Sequence, residues 1–167
     1  MNKLLSQIEL KKHLMYHPDT GEFTRLTSLS SSVKVGENAG GIGYEGYINI
    51  RVNGAKYRAH RLAWLYVHGS WPQMHIDHID GIKSNNKILN LRECNRTQNM
   101  RNKGSSKNNN SGFKGVSWKK DANKWVAQAR LNGKKIYLGY FDIPQEANAA
   151  YQAFAKENHG EFYKDAT

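Results

Sequence analysis

A chain of 167 residues with 25 Lys+Arg against 14 Asp+Glu carries a formal net charge of +11 and a pI near 9.7, which suits a polyanionic partner, most often nucleic acid. Its single cysteine, Cys94, excludes an internal disulfide and a cysteine-based zinc ribbon and fits a reducing compartment. No apolar run approaches the ~20 residues of a membrane span, and 38% hydrophobic residues favour small domains over one large core.

In chain order, MNKLLSQIELKKHL is too polar for a signal peptide and reads as a short amphipathic helix, so a soluble, cytoplasmic protein is expected. HPDTGEF (His17 to Phe23) has Pro, Asp and Gly in turn positions, and Ser28 to Ser32 is a loop of small residues. Gly40 to Arg61 holds two strand-like runs separated by Asn53-Gly54, a hairpin signal. Residues 1 to 59 therefore read as a small β scaffold. His60 to Gly69, HRLAWLYVHG, is a short helix closed by glycine.

His75 to Asn86 reads HIDHIDGIKSNN: strand, turn and strand, with Asp80-Gly81 at the turn. Asn95 to Lys103 is a short polar helix, and Lys103 to Gly112, KGSSKNNNSG, a flexible linker.

Val116 to Trp118, Lys124 to Leu131 and Lys135 to Phe141 read as three strands, with an Asn132-Gly133 turn between the last two. Asp142 and Gln145 form a capping box for a helix with Ala147, Ala150, Tyr151 and Phe154 on one face, ended by Gly160. Eight Lys/Arg and one acid lie between Lys107 and Lys135, against two Lys and five acids from Ile136 onward. The sheet is basic and the helix acidic. Alternation places Gln128, Arg130, Lys135 and Tyr137 on one solvent face. That face is either an ordinary solvated one or a groove reader.

Two His and two Asp within six residues of HIDHIDGIKSNN allow three readings: polar decoration of a hairpin, a zinc site, or a one-metal nuclease. Phosphodiester hydrolysis needs a base that titrates near neutral pH, as histidine does, and a hard cation on carboxylate and amide oxygens. Neighbours on a regular strand point to opposite faces, so Asp77 and His78 can share a site only where the strand bends or ends.

Asp77-His78, then Asn90-Leu91-Arg92, then Asn99, with spacings of 12 (His78 to Asn90) and 21 (His78 to Asn99), resembles the HNH nuclease motif in its phage and intron-encoded homing form. The upstream HRLAW, the Asp80-Gly81 turn and Asn85-Asn86 resemble the same branch, over roughly residues 58 to 103. The resemblance implies a ββα fold around one divalent metal ion, Mg²⁺ or Mn²⁺. It implies that His78 is the general base, Asp77 a metal ligand, and Asn99, in place of the family's final histidine, the second ligand. Asn90 would hold the loop and orient His78. Arg92, Arg96, Arg101 and Lys103 are candidates for phosphate contacts. His75, two residues before Asp77, and His60 are read as packing or surface groups.

Residues 111 to 163, SGFKGVSW, KWVAQARLNGKKIYLGYF and EANAAYQAFAKENHGEFY, resemble the DNA-binding domain of the plant ethylene-response-factor family, which also occurs in phage homing endonucleases. By position Lys114, Lys119, Gln128, Arg130, Lys135 and Tyr137 match residues that touch the groove or backbone of duplex DNA. Ser117 and Gln128 replace an arginine and a glutamate of the plant pattern, so the plant target is not inherited.

The expected architecture is α+β. Residues 1–103 form an HNH nuclease domain (β scaffold 1–59, ββα-metal module 60–103), 104–111 a linker, and 112–167 a three-stranded antiparallel sheet packed on one helix. The expected function is metal-dependent cleavage of double-stranded DNA by a monomer or homodimer. No protein partner is evident. The alternatives are a DNA-binding regulator with an inactive nuclease module and, more weakly supported, an RNA-binding protein.

Overall fold

The computed structural model describes residues 4–28, 33–102 and 109–163. The fold is α+β, with four small antiparallel sheets, and the chain divides into two compact units, Met1–Arg96 and Thr97–Thr167. Among the described residues no helix is long and apolar enough to cross a membrane.

In the first unit, α1 (Gln7–His13) is capped by Ser6, whose hydroxyl accepts from the Glu9 amide at 3.2 Å. It leads into the hairpin β1 (Leu14–His17) and β2 (Glu22–Arg25). Three strands follow where the sequence suggests two: β3 (Gly41–Ile42), β4 (Ile48–Val52) and β5 (Ala55–Arg58), in the order β3-β4-β5. The turn between β4 and β5 is Asn53-Gly54, both with positive φ, the geometry that matches strand twist.

Helix α2 (Ala59–His68) buries Leu62, Ala63 and Leu65 against Leu10, Leu14, Phe23, Ile50 and Val52. This core carries the hairpin of β6 (His75–His78) and β7 (Leu91–Cys94), in which His75 faces Cys94 and His78 faces Leu91. The second strand begins only at Leu91. Residues 79–90 therefore form a long loop, and Asp80-Gly81 is its first bend rather than a tight hairpin turn. Helix α3 (Arg96–Asn102) follows.

In the second unit β8 (Val116–Lys119), β9 (Lys124–Leu131) and β10 (Lys134–Phe141) form a sheet of order β10-β9-β8. Helix α4 (Pro144–His159) sets Ala147, Tyr151 and Ala155 against Val116, Ala127 and Ala129. The helix starts at Pro144 with Ile143 at the N-cap. Asp142 instead accepts from Lys124 Nζ at 2.6 Å, so the anticipated capping box does not form. Proline at the first helical position needs no partner for its missing N–H. Most of the anticipated linker, residues 104–108, lies outside the described residues, as do Lys103 and Leu29 to Ser32.

Candidate active site and nucleic-acid face

The end of β6 brings Asp77 and His78 into one buried place, 6% and 4% exposed. Asp77 stands directly opposite Arg92 across the hairpin. Its Oδ2 accepts from Arg92 Nε at 3.0 Å and Nη2 at 2.9 Å, so the charge that burial would penalise is paired. Arg92, expected on phosphate, is engaged with this carboxylate.

His78 is held by rings and by an amide. Its ring meets His60 edge-on, with centroids 5.0 Å apart, and the Tyr47 ring at 5.9 Å. Its Nε2 lies 3.3 Å from Asn86 Oδ1. Asn86 Nδ2 donates to the Ser84 carbonyl at 3.1 Å, so Oδ1 is the acceptor and His78 Nε2 carries the proton. His78 Nδ1 is then the basic nitrogen. Burial lowers the His78 pKa, against a hydrogen bond to Asn86 and the charges of Asp80 and Asp77 that raise it. The lowered pKa favours the neutral ring, the form a general base needs.

Asn86 is 1% exposed. Its carbonyl accepts from the Tyr16 hydroxyl at 2.6 Å, and burial pushes the Tyr16 pKa up to about 12. Gly21, in the β1–β2 turn with φ +77°, lies so close that a Cβ there would overlap the backbone of Asn86 and Lys87. The scaffold thus sets the position of the residue that sets the histidine.

Asn90 acts on the loop. Its side chain accepts from the Asp80 amide at 3.0 Å and donates to Asp80 Oδ1 at 3.0 Å and the Asn85 carbonyl at 2.9 Å. Asp80 also accepts from the Ile82 amide and Asn85 Nδ2. Burial works against its charge, but these hydrogen bonds prevail and hold its pKa below the usual range. Asn86 supplies a ring hydrogen bond to His78, where the sequence points to Asn90. An interior asparagine beside a turn asparagine gives no signal of which one reaches the ring. His60, expected to pack, is 8% exposed and lies between Tyr47 and His78. His75 is exposed.

Residues 57–101 match the family model of the HNH endonuclease. Protein 3.8 of Escherichia phage T7 is 33% identical over 106 residues, 63% of this chain and 87% of that protein. The chain belongs to the family of T7 Protein 3.8. Its residues 57–101 form an HNH endonuclease domain. A solved structure of DNA binding and cleavage by the HNH homing endonuclease I-HmuI has 28% identity and a TM-score of 0.41, covering 54% of this chain and 51% of that one. The chain spans about half the length of that protein.

HNH nucleases generally use a divalent metal ion. Among the described residues no group of three His, Cys, Asp or Glu could hold one. The buried carboxylate of Asp77, a hard oxygen donor, fits such an ion. Asn99, half-buried on α3, offers an amide oxygen and falls in the second of the two units.

In that second unit of this T7 Protein 3.8 relative, the β9–β10 register pairs Arg130 with Lys135 and Gln128 with Tyr137, which puts all four on one face. Arg130, Lys135 and Tyr137 are exposed, with Lys135 Nζ 4.9 Å from the Tyr137 ring centre. A register shift at Gly139 brings Tyr140 opposite Val126, and Lys119 Nζ lies 3.4 Å from the Tyr140 hydroxyl. Lys114 differs from expectation. Its ammonium donates to the Met100 carbonyl at 3.1 Å, and burial pushes its pKa down to about 8. Arg96 is exposed at the start of α3, and the Arg101 side chain lies outside the described residues.

Proposed function

We propose that the chain is a metal-dependent endonuclease of double-stranded DNA, of the homing type. The HNH domain would cut, and the C-terminal sheet, resembling the ethylene-response-factor domain, would bind. The observation that carries this reading is the buried Asp77-His78 pair at a strand end, with His78 Nε2 held 3.3 Å from Asn86 Oδ1.

In this reading His78 Nδ1 takes a proton from water, and the water oxygen attacks phosphorus in line with the 3′ oxygen. Asn86, Tyr47 and His60 keep the ring plane fixed while the proton moves, and Asn90 keeps the loop closed around Asp80. A divalent ion, Mg²⁺ or Mn²⁺, when bound by Asp77 and by Asn99 as the motif assigns, supplies neutralisation of charge on the phosphate and departing oxygen. Arg92, through its two hydrogen bonds, holds the Asp77 carboxylate oriented for that role. The resemblance implies 5′ phosphate and 3′ hydroxyl ends. Gln128, Arg130, Lys135, Tyr137 and Lys119 would contact the duplex, with Arg96 and Arg101 on backbone phosphate. One such site cuts one strand, so a monomer nicks and a homodimer breaks both.

The test is cleavage of supercoiled plasmids bearing a library of candidate sites, with Mg²⁺, Mn²⁺ or EDTA, beside His78→Ala. Nicked circle that needs both metal and His78 is expected. Tight DNA binding without cleavage on any site would leave a DNA-binding regulator.

A further inference from the structure

Helix α3 carries Asn99 and is seven residues long, too short to hold itself helical in water. Its last turn ends in carbonyls that have no partner within the helix. Met100 lies in that turn, and Lys114 Nζ donates to its carbonyl at 3.1 Å from fourteen positions further along the chain. Both residues belong to the second unit. A cation there meets the negative end of the helix dipole.

The loop that bears Lys114 is tied down on both sides. Before it, Asn109 Nδ2 donates to the Phe113 carbonyl at 2.6 Å, and the Phe113 amide donates to Ser111 Oγ at 3.1 Å. After it, the Gln128 amide donates to the Gly115 carbonyl at 2.8 Å. Gly115, with φ +75°, lies so close to the Tyr151 ring that a Cβ there would overlap it. Strand β9 and helix α4 thus fix the backbone from which Lys114 reaches α3. A half-buried ammonium gives up hydration, and that burial pushes its pKa down to about 8. A lysine reserved for DNA phosphate would keep its ammonium in water until the duplex arrived, as the exposed Arg130 and Lys135 do.

We propose that Lys114 is a positioning residue: it caps the last turn of α3 and, through that helix, holds the Asn99 side chain where a divalent ion needs its amide oxygen. The part played by Asn99 rests on the nuclease reading. Through this tie the unit that reads the duplex also sets one residue of the cutting motif, and Lys114 makes no phosphate contact.

The experiment uses the full chain in the His78→Ala background, which leaves a bound duplex whole, with Lys114 intact, as Lys114→Met and as Arg130→Gln. Three quantities are read: amide exchange of α3, the salt slope of binding to a mixed-sequence duplex in EDTA, and the Mn²⁺ concentration that half-broadens the Asn99 side-chain amide resonance of the DNA complex. Lys114→Met should speed α3 exchange by about 5-fold, the scale of a lost cation at a helix C-terminus. It should raise the Mn²⁺ concentration by about 10-fold, the low end for a group that orients a metal ligand, and leave the salt slope unchanged. Arg130→Gln should do the reverse, flattening the slope by about 1 with the other two quantities unchanged. A slope flattened by about 1 in Lys114→Met with α3 exchange unchanged makes Lys114 a phosphate contact and overturns the proposal. Faster α3 exchange with the Mn²⁺ concentration unchanged overturns it too, leaving a cap that positions nothing. Lys114→Gln, which keeps an N–H donor without the charge, supplies the same three readings should Lys114→Met fail to fold. Mn²⁺ that leaves Asn99 unbroadened with Lys114 intact overturns the metal assignment of the nuclease reading, and with it the role given to Lys114, a failure seen in the parent chain rather than in the variant.

Discussion

Both units mount polar side chains on small antiparallel sheets, yet the β6–β7 hairpin of the first hides its pair and the β9–β10 pair of the second displays its own. Asp77 and His78 are 6% and 4% exposed, whereas Tyr137 is 61% exposed with Lys135 beside it. The difference follows from what each is suited to do. A base needs a fixed ring and a known tautomer, which buried neighbours supply. A groove-reading face needs cations that reach outward and are neutralised only by the ligand. Hence Asp77 has its arginine inside the unit, while Arg130 and Lys135 have no carboxylate within 4.0 Å among the described residues.

The sharpest way to break this contrast is His78→Ala. Cleavage should fall by at least ~10²-fold, the usual scale for a lost general base, with affinity for uncut duplex held near wild type in a gel-shift titration. An equal loss of both would erase the division of labour. Asn86→Leu comes next. It keeps the branched shape but removes the acceptor for His78 Nε2, and a ~10- to 100-fold fall in single-turnover rate is expected, as for other groups that orient a reacting side chain. Asn90→Ala should instead loosen the 79–90 loop, read as faster amide exchange there.

Two glycines compare the units at equal chemistry. A Cβ on Gly21 meets the Asn86–Lys87 backbone, and one on Gly115 meets the Tyr151 ring and the Gln128 carbonyl. Each alanine variant should lose about 2 kcal/mol or more in denaturant melts. Only Gly21→Ala should also slow single-turnover cleavage at saturating DNA. A smaller effect is expected from Arg130→Gln, which should flatten the salt dependence of DNA binding by about 1 without touching the single-turnover rate.

The mildest test uses acid. Burial, then the charges of His78, Arg61 and Arg58, pushes the His60 pKa down to about 3. The unfolded chain therefore takes up a proton at His60 as pH falls below about 6.5, while the folded chain resists until about 3. Stability at this residue is full above 6.5 and drains away between those values. Melting temperature should fall from about pH 7 to pH 5, and His60→Phe should flatten that slope.

The local signals were legible. Asn-Gly turns need positive φ, the HRLAW helix has its apolar spacing, and a carboxylate–histidine pair followed by spaced asparagines states its chemistry in residue types. The α+β class and the HNH domain followed from these. Contacts set by distant chain segments left no such mark. Arg92 on Asp77 depends on the β6–β7 register, and that register depends on how many of residues 79–90 stay in the loop. Asn86 rather than Asn90 on the His78 ring depends on Tyr16, 70 positions earlier. The capping box at Asp142 does not form because the helix starts at Pro144 with Ile143 at its N-cap, and Asp142 accepts from Lys124 on another strand. Lys114 reads as a surface cation until the end of α3 is placed beside it.

The hydroxyl of Tyr16 and the bare turn at Gly21 also bear on how this HNH domain could be moved between proteins. The recognisable domain starts at residue 57, but the loop that carries Asn86 leans on a hairpin more than thirty residues upstream of that start. A graft of residues 57–101 alone would carry every residue of the motif and lose the surface against which Asn86 is pressed. A portable HNH domain that keeps Asn86 in place therefore begins ahead of Leu14, and recombination points between the β1–β2 hairpin and the motif would yield chains that keep the residues of the motif without the contacts that position Asn86.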